Sequence, residues 1–165
     1  MNKQINSIIR QLNELQNGKP WVGETFDKKL ATITAKEAFK RPLPKLHSIA
    51  ELMAHLTSWR KDMILKIETG KGSLTTDSNE NWPPNPELEA IGWEKLQEAY
   101  KKSLSDVIML LQSKDDQFLD EHYYDTDFKG SYPYSFAVEG MLHHDIYHLG
   151  QMGLVIKLIK ENAER

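Results

Sequence analysis

His144 and His148 stand four residues apart in the segment His144-Asp145-Ile146-Tyr147-His148. On an α-helix, residues at this spacing share one face with their Cβ atoms about 5 to 6 Å apart. Two neutral imidazoles placed this way can direct nitrogens at a common point, as in a helical metal clamp. A third histidine, His55, lies in another apolar-periodic segment. If a helix bundle turns His55 toward the other two, three nitrogens converge and coordination positions stay open, the pattern of a catalytic rather than a closed structural site.

The surrounding residues place these histidines on core-facing stripes. Steps of three and four along the last apolar segment run through Ala137, Met141, His144, His148, Gln151 and Val155, apolar at both ends and polar in the middle. The same stepping on the earlier segment gives Leu52, His55, Trp59 and Asp62. A single histidine in such a position is more often a core residue satisfied by a carbonyl or a water. Three on two facing stripes would bring several buried nitrogens together with no other use. His47 precedes a helix cap, His143 points about 100° away from His144, and His122 sits in a turn-rich stretch beside Tyr123 and Tyr124. The His144-Asp145-x-x-His148 arrangement also invites comparison with the H-E-x-x-H helix of zinc peptidases. Asp145 is one methylene shorter than the glutamate of that motif, and no third ligand follows beyond this helix, so a peptidase of that type is not expected.

Composition narrows the remaining classes. A chain of 165 residues is read as one domain spanning 1–165. With 21 Lys+Arg against 24 Asp+Glu, a net charge of −3 and no basic block, it lacks the electrostatic footprint of a nucleic-acid binder. The absence of cysteine removes disulfides, thiolate zinc sites and cysteine nucleophiles, leaving His, Asp and Glu as metal ligands. Polar residues at the N-terminus and the lack of a long apolar run predict a soluble, cytoplasmic protein with no membrane partner.

Four long amphipathic segments must position the histidines. Ile5, Ile8, Ile9, Leu12 and Leu15 mark a first helix over about 3–17, stopped by Gly18 and Pro20. Ser48-Ile49-Ala50-Glu51 forms a capping box that opens a second helix, running to Gly70. Between them, Trp21, Phe26, Leu30, Ile33 and a further capping box at Thr34 to Glu37 predict a turn or two of helix packed over the bundle. Residues 70–85 read as an exposed, unusually long connection. Asn85 before Pro86 predicts a capped start for a third long helix, ending near Ser113. Asp115 to Glu121 suggests a further turn, and the last helix begins near Pro133 to Ser135. With no convincing strand alternation, the expected architecture is an all-α four-helix bundle with short extra helical turns in its connections. Gly150 and Gly153 on the last helix would permit close approach of another helix, which leaves a homodimer open.

The chain resembles the DinB superfamily, which includes YfiT-like and bacillithiol- or mycothiol-dependent proteins. The likeness rests on Ala35-Lys36-Glu37-Ala38 with Arg41-Pro42, on His47-Ser48-Ile49-Ala50-Glu51-Leu52-Met53-Ala54-His55-Leu56 with Trp59, and on His144-Asp145-Ile146-Tyr147-His148-Leu149-Gly150-Gln151. It spans nearly the whole chain in order. The resemblance implies a DinB-like four-helix bundle with His55, His144 and His148 as metal ligands, the set that spacing also selects. It further implies a divalent ion, zinc or nickel first, and a small-molecule substrate. The implied chemistry is hydrolysis, or transfer of a low-molecular-weight thiol such as bacillithiol, from a water or thiol activated by the ion. Within that reading Gln151, one turn beyond His148, would hold a substrate or water. Asp62 would be an acceptor behind a ligand, and Trp59 an apolar wall. The alternative is a bundle stabilised by metal, or a small-ligand-binding protein, without catalysis.

Overall fold

A computed structural model describes residues 2–163. Helix α1 (Lys3–Asn17) buries Ile5, Ile8, Ile9, Leu12 and Leu15, the stripe anticipated above. Two short helices follow, α2 (Phe26–Leu30) and α3 (Ala35–Ala38). Thr25 caps α2 by accepting from the Lys28 N–H, and Thr34 with Glu37 caps α3 reciprocally. Helix α4 (Ile49–Thr69) starts at the Ser48/Glu51 capping box and ends where Gly70 adopts the left-handed conformation at φ 74°.

The third long segment departs from expectation. It is two helices, α5 (Asn85–Ile91) and α6 (Trp93–Gln112), parted at Gly92 with φ 93° and ψ 146°. Backbone of that kind is open almost only to glycine. The apolar spacing runs on across the break, so periodicity alone does not reveal it. Asn85 is also not the cap. Pro84 occupies that position, and the Asn85 side chain is spent on tertiary bonds, accepting from Ser48 Oγ at 2.7 Å and donating to the Phe39 carbonyl at 2.7 Å.

A turn at Asp116–Asp120 then leads into a small antiparallel hairpin, β1 (His122–Asp125) and β2 (Gly130–Pro133), with Tyr123 opposite Tyr132. No strand was expected from the sequence. The hairpin delivers the chain into α7 (Tyr134–Ala163), the longest helix at 30 residues.

The four long helices close on one another: α4 packs against α6 and α7, and α1 packs against the same two. Leu56, Tyr100, Val107, Val138 and Met152 are fully buried in the shared core. The protein is thus a helical bundle with one hairpin added. Among the described residues, no helix is long and apolar enough to cross a membrane.

A buried ion pair sets how α4 and α7 face each other. Arg60 donates to Asp145 Oδ2 at 2.7 Å, and both side chains are almost wholly buried. Burial opposes the charge on Arg60, but the facing carboxylate and the Tyr100 phenol outweigh it and hold the guanidinium protonated. Asp145 therefore points away from the histidine cluster, and cannot serve as the base of a peptidase-type helix.

Candidate metal centre

Two helices running in opposite directions supply the cluster. Tyr134 Oη donates to the Lys66 carbonyl at 2.6 Å near one end of the α4–α7 pair, and His55 meets His144 near the other. The three imidazoles come together at their ring edges. His55 Nε2 lies 2.9 Å from His144 Nε2, and His148 Nε2 lies 3.0 Å from the same atom. His55 and His148 are buried and His144 is half-buried. Among the described residues these three are the group of His, Cys, Asp or Glu side chains placed to hold a metal ion.

The outer nitrogens decide what the inner ones can do. His55 Nδ1 lies 2.9 Å from the Asn81 carbonyl, which can only accept, so Nδ1 carries the proton and Nε2 a bare lone pair. His148 Nδ1 donates to Gln151 Oε1 at 2.7 Å, with the same result. His144 Nε2 thus faces two lone pairs. If it carries a proton it satisfies one of them, and if it does not, three lone pairs converge. Either way a cation at their centre is what the donor set fits, with three neutral imidazoles, two of them held in a fixed tautomer by the groups behind them.

The electrostatics agree with that geometry. Burial, then repulsion from His148 and His55, lowers the His144 pKa to about 3. Burial, then His55, lowers His148 to about 4. Burial also lowers His55, against the pull of its hydrogen bonds to Asn81. The cluster is neutral at physiological pH, the state a metal requires of its ligands.

The remaining sequence candidates take different places. Trp59 flanks His55 and His144 with ring centroids 6.3 Å from each, and lines the adjoining cavity. Gln151 lies behind His148, its Oε1 2.7 Å from His148 Nδ1. Asp62 stands apart from the three imidazoles. Its Oδ1 accepts from the Ser73 and Leu74 N–H groups at 2.7 and 2.9 Å, and its Oδ2 pairs with Lys66 at 3.0 Å. The acceptors behind the imidazoles are Asn81 and Gln151 instead. His143 is exposed on α7, and His122 is exposed in β1. His47 stacks on Trp82, which stacks in turn on His55, at centroid distances of 3.7 and 3.8 Å.

Asn81, Trp82 and Lys66 escape sequence reasoning. The 70–85 connection is not a loose exposed loop: Asn81 is buried within it. Besides its carbonyl bond to His55, Asn81 accepts from Trp59 Nε1 at 2.9 Å and donates to the Thr76 carbonyl at 2.8 Å. The connection is pinned along its length. Tyr124 N–H donates to the Gly70 carbonyl, Gly72 N–H to the Tyr124 carbonyl, and Thr76 N–H to Asp127 Oδ1. Gly72 passes so close to the Lys66–Asp62 pair that an added Cβ would lie 2.5 Å from Lys66 Cε. The one signal in the sequence is a tryptophan followed by two prolines inside an otherwise polar stretch.

A cavity of about 430 Å³ opens beside the cluster, lined by His55, Trp59, Met63, Trp82, Met141 and His144 among others. Lys66, Tyr123 and Asp125 also border it. Lys66 Nζ lies 3.0 Å from Asp62 and 2.9 Å from Asp125. Burial pushes Asp125 up, but the Phe128 N–H and Lys66 outweigh it and hold the carboxyl below its usual range.

Comparison with known proteins bears on this arrangement. A family model described as the DinB superfamily matches residues 21–152. No curated protein matches the sequence. Among solved structures, the fold is similar to that of YfiT from Bacillus subtilis, described as a probable metal-dependent hydrolase with an unusual four-helix bundle topology. That likeness has a TM-score of 0.62 at 14% identity, covering 99% of this chain and 90% of the other. A conserved protein from Enterococcus faecalis is similar with a TM-score of 0.66 at 17% identity, covering 98% and 99%.

Proposed function

The chain belongs to the DinB superfamily, matched over residues 21–152, and from that premise we propose that it is a metal-dependent enzyme acting on a small molecule. His55, His144 and His148 would hold a divalent ion, zinc or nickel. The observation that carries this reading is the pair of outer hydrogen bonds, to Asn81 and Gln151, that leave Nε2 lone pairs directed at one centre. An ion held by three imidazoles lowers the pKa of a coordinated water or small thiol toward neutrality. Hydrolysis and transfer of a thiol such as bacillithiol are the two reactions open to such a nucleophile, and a chain without cysteine suits either.

The chain's own residues supply position and exclusion. Asn81 and Gln151 fix the tautomers and ring orientations of His55 and His148. Trp59, Trp82 and Met141 wall the adjoining cavity, so a substrate there sheds water and meets the nucleophile in a medium of low dielectric.

Elemental analysis of protein purified without a histidine tag tests the reading. About one divalent ion per chain is expected, with loss of most of it in each of His55→Ala, His144→Ala and His148→Ala. Unchanged metal content in the three variants would refute it. Cobalt substitution then separates catalysis from a purely structural site. A site with open positions changes its visible spectrum when azide or a small thiol is added, whereas a closed one does not.

A further inference from the structure

The cavity beside the cluster is a channel with chemistry at both ends. His55, Trp59, Met63 and Lys66 lie on one stripe of α4 and all border it. Eleven residues at 1.5 Å rise separate His55 from Lys66, about 16 Å along the helix. On the antiparallel α7, Ala137, Met141 and His144 line the same space, over about 10 Å. The histidines thus close one end and Lys66 the other, with apolar and aromatic side chains between them.

The Lys66 end is a built polar site. Lys66 is 6% exposed and Asp125 is 2% exposed. The ammonium has three donors and two carboxylate partners, Asp62 and Asp125. Asp125 is itself saturated: Oδ1 accepts from the Asp127 and Phe128 N–H groups, and Oδ2 from Tyr123 Oη at 3.1 Å. The two carboxylates account for two of the three Lys66 donors, and the other groups facing the ammonium are the Trp59 and Tyr123 rings, 5.7 and 5.3 Å away, which border the same cavity. One ammonium against the carboxylates of Asp62 and Asp125, with Asp127 also on the cavity lining, leaves that end negative, which disfavours an anion. The Lys66 donor equally disfavours a cation.

We infer that the channel takes a substrate with an extended apolar body of about 10 Å, whose reacting group sits at the histidines and whose far end presents a neutral hydrogen-bond acceptor, a carbonyl or ether oxygen, to Lys66. This deepens the metal-dependent reading above and rests on it. Gly140 borders the channel on its open side, and an added Cβ there meets nothing within 4 Å. A larger side chain at 140 is therefore accommodated on the channel wall and narrows its open side.

The test uses hydroxamates, which anchor on a metal ion, titrated into the metal-loaded protein by calorimetry. The probes are acetohydroxamate, octanohydroxamate, and the eight-carbon chain ending in a methyl ketone, a carboxylate or an ammonium. Octanohydroxamate should bind at least about tenfold more tightly than acetohydroxamate, from burial of its methylenes. The ketone should gain roughly a further tenfold, and both charged ends should fall below it. Gly140→Leu should abolish the gain from chain length. Acetohydroxamate binding with no gain from the longer chain, or a carboxylate or ammonium preferred to the ketone, overturns the channel inference alone. Failure of acetohydroxamate itself to bind overturns the metal reading and this inference with it. The ligand series needs no change at Lys66, whose replacement would strand two buried carboxylates.

Discussion

Gln151 and the Asn81 carbonyl each decide which nitrogen of a histidine holds its proton, and that choice is what would let three inward-facing residues act as a ligand set. Gln151→Leu removes the acceptor from His148 Nδ1 and should weaken zinc binding by about 10- to 100-fold, whereas Gln151→Glu keeps an acceptor and should stay near the parent. Competition with a chromophoric chelator reads both. The lowered histidine pKa values make a second prediction. At pH 6, three imidazoles of ordinary pKa would release about two protons on binding a metal. Here the rings are already neutral, with His144 near 3 and His148 near 4. Metal uptake should therefore release less than about one proton, measured as the dependence of the calorimetric heat on buffer ionisation enthalpy. The histidines were legible in the sequence because a helix repeats on itself, so His144 and His148 announce a shared face. The residues behind them were not, since Asn81 reaches His55 only once a connection 26 residues downstream folds back.

At the scale of elements, α4 and α7 carry the three histidines and the Arg60–Asp145 pair fixes their mutual rotation. Asp145→Ala would leave the guanidinium of Arg60 buried without its counter-charge, at a cost of about 3–5 kcal/mol. Urea unfolding of the metal-free protein should show that loss as a fall in midpoint, and a midpoint unchanged from the parent would contradict the role given to the pair. The four long helices could be read from apolar periodicity, α4 also from its capping box at Ser48, and the short α3 from its box at Thr34, because these signals are local. The hairpin could not. Its strands have four residues each, one ends in Pro133, and the turn between them places Lys129 at a positive φ of 54° without a glycine there. Asp125 organises that turn by accepting from two backbone N–H groups, a pattern too common in loops to announce a hairpin.

Across the whole molecule, the cluster makes stability depend on acidity. The folded-state pKa values of His55, His144 and His148 lie below the unfolded value of about 6.5. Between those values the unfolded chain binds more protons, so stability is complete above about pH 6.5 and is lost as pH falls toward the folded values. Metal-free protein should show a urea midpoint that drops steadily from pH 7 to pH 5. A flat midpoint over that window would mean the rings are not held neutral. Saturating zinc should raise the midpoint at pH 7, since a ligand bound only by the native state stabilises it by mass action.

The pinned connection between α4 and α5 also bears on protein engineering. Its length and polarity invite grafted tags or new termini, yet any change of length there would move Asn81 and Trp82 off the ring of His55. The turn at Pro20–Gly23, where Trp21 is fully exposed, offers a safer place to attach a fluorophore.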